Sequence, residues 1–192
     1  ESIRATVTGF FEKMGERPED AATAAETLVM SDLRGVESHG VSNMVRRYME
    51  WYDTGRLKAR PNWKIVKETR GTANIDGDTG LVLFLGQKAM QMAIDKARDV
   101  GIGVVNITNS SHSGAIGHHA MRAANQDMIG MVMTGGGLQV VPTFGAEGRL
   151  GTNPVAMAAP TRNEPPFLFD AATSSVAMNK VYLARRMGVD LE

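Results

Sequence analysis

Two histidines stand among small polar residues and could transfer protons. His112 lies in Asn109-Ser-Ser-His-Ser113, after a short apolar stretch and before a helix-like stretch. His39 lies in Glu37-Ser-His-Gly40, between two helix-like stretches, with the Ser38 hydroxyl beside it. A neutral imidazole accepts or donates a proton near pH 7, so either histidine could serve as a general acid/base. A histidine at a helix junction can also be purely structural, and the residues alone leave that alternative open for both.

Two arginines follow His39 by about two helical turns. Guanidinium groups bind carboxylates through paired N–H donors, so Arg46 or Arg47 could hold an acidic substrate. Two arginines on a helix also form ordinary solvated surfaces, and that interpretation stays open. The remaining histidines, His118 and His119, fall inside the next helix. We expect one of them to face solvent and the other to pack, and we assign neither a role.

A glycine-rich run, Gly145-Ala-Glu-Gly-Arg-Leu-Gly-Thr-Asn-Pro154, indicates a ligand-contacting loop. Glycine lets the backbone approach a ligand closely, although a long surface loop is the simpler alternative. The G-x-G-x-x-G fingerprint of Rossmann proteins is missing, because Gly101-Ile-Gly-Val-Val-Asn106 has asparagine in the third glycine position and precedes its strand. A dinucleotide would therefore need a different scaffold.

The composition excludes several classes of function. The 192 residues contain 21 Lys plus Arg and 21 Asp plus Glu, so no charge excess attracts nucleic acid or an anionic membrane. The absence of cysteine excludes disulfides, thiolate zinc sites and cysteine nucleophiles. No stretch approaches the roughly 20 apolar residues of a spanning helix, and the histidines lack metal-ligand spacing. We expect a cytoplasmic protein with no metal, nucleic-acid or membrane partner.

Helices and strands alternate along most of the chain, which predicts a sheet covered by helices. Helical periodicity and start or stop residues predict helices over 2–14, 18–34, 41–54, 81–100, 115–124 and 176–187. Strand patterns cover 63–69, 72–76, 103–108, 129–134, 155–159 and 167–169. We expect an α/β (mixed α+β) fold with an N-terminal helical segment on the substrate side, residues 1–60. A nucleotide-binding sheet domain, residues 61–192, would follow and be truncated at its C-terminus.

Four sequence blocks together resemble one known family. RGVESHGVSN (34–43), NSSHSGAIG (109–117), FGAEGRLGTNPVAMAAP (144–160) and FDAATSSVAMNK (169–180) match, in order and approximate spacing, the type-two malate/L-lactate dehydrogenase family. Members of that family include ureidoglycolate and sulfolactate dehydrogenases and some imine and diketo-acid reductases. The blocks extend over nearly the whole chain.

The resemblance implies a non-Rossmann fold that binds NAD or NADP on a mixed sheet flanked by helices, usually in a homodimer. It assigns the acid/base to the histidine matching His39 in some members and to the one matching His112 in others. Ser38 and the arginines after His39 become substrate-side neighbours. The cofactor would lie along the glycines around Gly136, a turn and a later loop, and the implied contacts are Gly136, Thr152, Asn153, Pro154, Asp170, Ala172 and Thr173.

The resulting hypothesis is hydride transfer between a nicotinamide and a small 2-hydroxy or 2-oxo acid. The alcohol proton must leave as the carbonyl forms, so His112 or His39 would exchange it while the other polarises the same oxygen. Arg46 or Arg47 would hold the carboxylate. The main alternative is a truncated, catalytically inert fragment of such an enzyme, and a metal-dependent hydrolase is a weaker third option. The substrate acid and the choice between NAD and NADP stay open.

Overall fold

The computed structural model describes residues 2–190, and it forms a helical layer next to two small sheets. In chain order the elements are α1 (Ser2–Lys13), α2 (Pro18–Leu33), a 3₁₀ turn (Glu37–His39), α3 (Val41–Asp53), β1 (Lys64–Glu68), β2 (Thr72–Asp76), α4 (Val82–Val100), β3 (Val104–Thr108), α5 (Gly117–Ala124), β4 (Gly130–Met133), β5 (Val155–Ala159), β6 (Phe167–Ala171) and α6 (Met178–Met187). Within residues 2–190, no helix is long and apolar enough to cross a membrane.

The first core joins α1, α2, α3 and the start of α4. Phe11, Leu28, Tyr48 and Phe84 are fully buried there, one from each helix. The alanine-rich face of α2 lets the helices approach closely, and Pro18 occupies its first turn, where a missing N–H costs nothing. This core fixes the positions of α2 and α3, and His39 lies in the turn that joins those two helices.

The first sheet has the order β1-β2-β3. Strands β1 and β2 are antiparallel, whereas β2 and β3 are parallel, with Thr72 opposite Val104 and Asp76 opposite Thr108. A parallel pair needs a long crossover, and α4 provides it. Helix α4 ends at Gly101, whose φ of 87° is the left-handed conformation that glycine adopts easily. The end of β3 leads directly into the loop that carries His112.

The second sheet is antiparallel and has the order β4-β5-β6. Helix α5 packs on one of its faces, where Ile116 and Ala120 meet Ala156 and Ala158 in a second core. Alanine side chains on β5 leave room for the helix, so the loop before α5 lies close to the end of β4.

The helices and strands predicted from the sequence are confirmed, with boundaries that move by a few residues. The α/β fold class is also confirmed, but the strands form two three-stranded sheets instead of one mixed sheet. The chain forms two sheets because β4 pairs with β5 and not with β3. Sequence periodicity identifies a strand but does not indicate which strand it pairs with. The division into 1–60 and 61–192 stays a prediction.

Candidate active site

His39 and His112 come together in the folded chain. Their rings stack with centroids 5.5 Å apart and planes 11° from parallel. His39 comes from the 3₁₀ turn between α2 and α3, and His112 comes from the loop after β3. The convergence of these two segments, expected from the sequence, is therefore observed.

The 3₁₀ turn is fixed by a contact between its flanking helices. The Asp32 carboxylate accepts a 2.9 Å hydrogen bond from the backbone N–H of Val41, at the start of α3. Gly40 makes this possible, since any side chain there would overlap that carboxylate. The turn presents Ser38 and His39 on the side that faces His112.

The His112 loop is held by backbone hydrogen bonds to the turn after β2. The N–H of Gly77 bonds to Thr108 O over 2.8 Å, and the N–H of Thr79 bonds to Asn109 O over 2.8 Å. The N–H of Ser111 adds a bond to the carbonyl oxygen of Gly80, at 3.1 Å. The loop is thus tied to the rigid first sheet on the N-terminal side of His112.

His39 is half-buried and has one polar neighbour at its ring. Its Nδ1 lies 2.9 Å from the Ser38 hydroxyl, which can donate to the ring or accept from it. Burial lowers the pKa of His39 below its ordinary value of 6.5. The ring is therefore held mostly neutral at pH 7, with either tautomer open to it.

His112 has a defined hydrogen-bonding pattern. Its Nδ1 lies 2.7 Å from the Tyr48 hydroxyl and 3.3 Å from the backbone nitrogen of Gly114, which donates. A backbone N–H can only donate, so we assign Nδ1 as the acceptor and place the ring proton on Nε2. Burial, and then the positive charges of nearby groups, lower the pKa of His112 to about 3. His112 is therefore a neutral N–H donor at physiological pH.

Arg47 is the arginine that faces this site. Its Nη1 donates to Asn179 Oδ1 over 3.2 Å, and its guanidinium carbon lies 4.7 Å from the ring centre of Tyr182 and 5.8 Å from that of Trp51. Within residues 2–190 no acid forms an ion pair with it. Arg46 is exposed on the neighbouring part of the helix surface. Arg47 therefore shares the neighbour Trp51 with His112, and the substrate-binding role predicted for the two arginines stays a prediction.

Four of the predicted cofactor-contacting residues lie together at a loop crossing. There the two ends of the connection between β4 and β5 meet the loop that follows β6. The N–H of Gly136 donates to Asn153 Oδ1 over 3.0 Å, and the N–H of Thr173 donates to Thr152 O over 2.9 Å. A Cβ on Gly151 would lie 2.6 Å from Gly136 O, so the crossing requires glycine. The exposed backbone of 135–137 borders the crossing.

The crossing is connected to the His112 loop through Thr134. The Ser113 hydroxyl lies 3.4 Å from Thr134 Oγ1, and the N–H of Thr134 donates to Pro154 O over 3.3 Å. Thr134 directly precedes the exposed glycines. The predicted cofactor segment and the histidine pair are thus neighbours in the fold.

Two further predicted cofactor contacts lie at the end of β6. The Asp170 carboxylate accepts a 2.6 Å hydrogen bond from the N–H of Gly117, at the N-terminus of α5. Burial raises the pKa of Asp170, and that hydrogen bond opposes the increase. Asp170 thus accepts from the first N–H of α5, and Ala172 is half-buried just after the strand. Their predicted cofactor contacts stay predictions.

The family model described as malate/L-lactate dehydrogenase matches residues 1–192. The chain belongs to the malate/L-lactate dehydrogenase family. The resemblance noted in the sequence is thereby confirmed. Relatives in the family include a malate dehydrogenase of Pyrococcus abyssi, 46% identical over 93% of this chain and 49% of its own length. An L-sulfolactate dehydrogenase of Methanocaldococcus jannaschii is 39% identical over 100% of this chain and 55% of its own length.

Solved structures of the malate/L-lactate dehydrogenase family agree with the fold described above. The malate dehydrogenase of Entamoeba histolytica superposes with a TM-score of 0.94 at 33% identity, covering 99% of this chain and 53% of that one. The chain spans about half the length of the curated relatives it matches.

Several side chains around the histidine pair were not predicted as site residues. They are Tyr48 on His112, Trp51 near both His112 and Arg47, Arg56 stacked 4.4 Å over Trp51, and Asn179 and Tyr182 from α6. The spacing of Met44 and Tyr48, four residues apart on the buried face of α3, was a usable signal for Tyr48. Nothing local in the sequence indicates that α6 returns to α3. In the part of the chain that the structure describes, no three His, Asp or Glu side chains cluster as metal ligands.

Proposed function

We propose that the protein transfers a hydride between NAD or NADP and a small 2-hydroxy or 2-oxo acid of the malate, lactate, sulfolactate or ureidoglycolate type. The observation that carries the proposal is the stacked His39–His112 pair beside Arg47, an arginine without an acidic partner in residues 2–190. Relatives of this chain are named for malate, L-sulfolactate and ureidoglycolate. These substrates share a hydroxyl group next to a carboxylate.

The hydrogen bonds favour different roles for the two histidines. His112 already carries a proton on Nε2, so it can donate a hydrogen bond to the substrate oxygen but cannot take a proton there. His39 can donate its Nδ1–H to Ser38 Oγ, which leaves Nε2 free to accept the alcohol proton. We therefore propose His39 as the acid/base and His112 as the group that polarises the oxygen.

The stacked arrangement also limits the charge on the pair. Two imidazolium rings with centroids 5.5 Å apart would repel each other, so a proton taken by His39 requires His112 to stay neutral. The low pKa of His112 supports that assignment. In the reductive direction protonated His39 would return its proton to the alkoxide oxygen as it forms.

Arg47 supplies the positive charge for the substrate carboxylate. Asn179 uses one of its N–H groups, and a guanidinium has five, so donors remain for a paired contact. The faces of Tyr182 and Trp51 limit the directions in which the guanidinium can swing. An acid held here would bring its hydroxyl group toward the histidines.

The loop crossing beside Thr134 fits a nicotinamide dinucleotide. Glycine at 136 and 151 brings two backbones into contact and leaves the neighbouring amides exposed, a surface that suits phosphate and amide groups. We propose that Gly136, Thr152, Asn153, Pro154, Asp170, Ala172 and Thr173 hold the cofactor. When bound, the nicotinamide accepts or supplies the hydride. A homodimer and a cytoplasmic location stay predictions from the sequence.

The test uses the full-length protein with a panel of 2-hydroxy and 2-oxo acids and both cofactors. We expect His39→Asn and His112→Asn each to lower kcat by at least about 100-fold, the usual contribution of general acid–base catalysis. His118→Asn, on α5 outside the pair, is the control and retains turnover. The parent, His39→Asn and His112→Asn should all gain thermal stability with NADH or NADPH, because neither histidine is among the proposed cofactor contacts. Near-normal turnover of both His39→Asn and His112→Asn contradicts the assignment, and no thermal shift with either cofactor favours a catalytically inert protein.

A further inference from the structure

One peptide group connects His112, which has a part in the proposed chemistry, with His119, which has none. The carbonyl oxygen of Ser113 accepts a 2.9 Å hydrogen bond from Nε2 of His119. The N–H of Gly114, on the other side of the same peptide bond, donates to Nδ1 of His112 over 3.3 Å. A peptide group is planar, so a donor that holds its oxygen also sets the direction of its N–H.

The protonation of His119 follows from its other neighbour. The Gln87 amide nitrogen lies 3.0 Å from His119 Nδ1 and also donates to His118 O over 3.2 Å. The Gln87 amide oxygen accepts from Arg122 Nη1 over 3.3 Å, which fixes the orientation of the amide. Nδ1 of His119 is therefore an acceptor, and the proton lies on Nε2, where Ser113 O receives it.

Packing fixes the position of the His119 ring. His119 is 2% exposed, and its ring rests against Gly86, where a Cβ would lie 2.9 Å from Cε1. Gly114 is buried at a φ of 67°, and a Cβ there would lie 2.5 Å from a methyl carbon of Leu83. Burial lowers the pKa of His119 to about 4, which keeps the ring neutral.

The Gly114 N–H is the contact that selects the tautomer of His112. The Tyr48 hydroxyl also touches Nδ1, but a hydroxyl can donate to a ring nitrogen or accept from it, so it is compatible with both tautomers. A backbone N–H is compatible with only one. Hydrogen bonds in a chain polarise one another, so the His119 bond to the carbonyl also strengthens the N–H as a donor.

We propose that His119 is a positioning residue, which acts through the Ser113–Gly114 peptide to hold His112 in the tautomer with the proton on Nε2. The tautomer claim concerns this chain alone, while its effect on turnover rests on the proposed function. Without the His119 donor, the peptide can rotate, the Gly114 N–H leaves Nδ1, and both His112 tautomers become populated.

The test measures the histidine ring nitrogens by ¹⁵N NMR in the full-length protein, with His112 assigned by comparison with His112→Asn. We expect neutral His112 with its proton on Nε2 at pH 7. His119→Phe keeps an aromatic ring but removes the donor, and it should shift the His112 ring nitrogens toward values averaged over two tautomers. His119→Gln retains an N–H donor and should restore the parent pattern. His118→Phe, the adjacent position on α5, is the matched control and should leave His112 unchanged.

Turnover provides a second readout. His119→Phe should lower kcat about tenfold, the value of one good hydrogen bond, with KM for the acid within about twofold and partial rescue in His119→Gln. A parent His112 with its proton on Nδ1 overturns the proposal without any variant, and so does an unchanged His112 pattern in folded His119→Phe. An inactive parent protein would instead refute the proposed function and leave the NMR test intact.

Discussion

Glu16 is a buried acid whose ionisation should control stability above neutral pH. It lies between α1 and α2 with 2% of its surface exposed, and the Tyr52 hydroxyl donates to its Oε1. Its Oε2 has no partner among residues 2–190. Burial raises the pKa of Glu16 from 4.5 to about 8, the negative charge of Asp20 adds to the increase, and the Tyr52 hydrogen bond opposes it.

The direction of the effect follows from proton linkage. The folded state binds the Glu16 proton more tightly than the unfolded state, so this contribution to stability is complete below pH 4.5 and is lost as pH rises through about 8. Each pKa unit corresponds to about 1.4 kcal/mol. Between pH 5.5 and 8.5 the unfolding free energy should therefore fall by about 3 kcal/mol on account of this residue.

Glu16→Gln should remove that loss, because glutamine stays neutral and its amide oxygen can still accept from Tyr52. The assay is urea unfolding at pH 5.5 and 8.5, with the difference between the two values compared with that of the parent. Glu12→Gln changes an exposed acid one turn earlier and should leave the parent difference unchanged. If Glu16→Gln shows the same loss of stability as the parent, the carboxyl is ionised in the folded state and the reasoning is wrong.

Three further variants test the site. Tyr48→Phe removes one hydrogen bond to His112 Nδ1 and should lower kcat about tenfold in steady-state assays, whereas parental kcat would show that the hydroxyl is dispensable. Arg47→Ala should raise KM for the acid about 10- to 100-fold, the value of charge-assisted hydrogen bonds, while Arg46→Ala should not; equal effects would contradict the choice of Arg47. Gly114→Ala should lower the unfolding free energy by at least about 2 kcal/mol, because the left-handed backbone and the Leu83 side chain leave no room for a methyl group. An unchanged urea midpoint would refute that packing.

Local sequence determined much of the secondary structure, and it was enough to recognise the family. The start of α2 at Pro18 and the ends of α4 and α6 at Gly101 and Gly188 follow from backbone preferences that do not depend on the rest of the chain. The polar blocks around His39 and His112 were also visible, because residue type and order suffice to recognise them.

Only the tertiary structure decided which groups meet. Tyr48 contacts His112 across 64 positions of sequence, and Asn179 holds Arg47 across 132. His119, for which the sequence suggested no role, holds the peptide next to His112. A helical or strand pattern in the sequence indicates which face of the element is buried and where the element begins and ends. Both are local properties. The partner of that side depends on how all the elements pack at once, and so do the tautomer and the pKa of a histidine placed there.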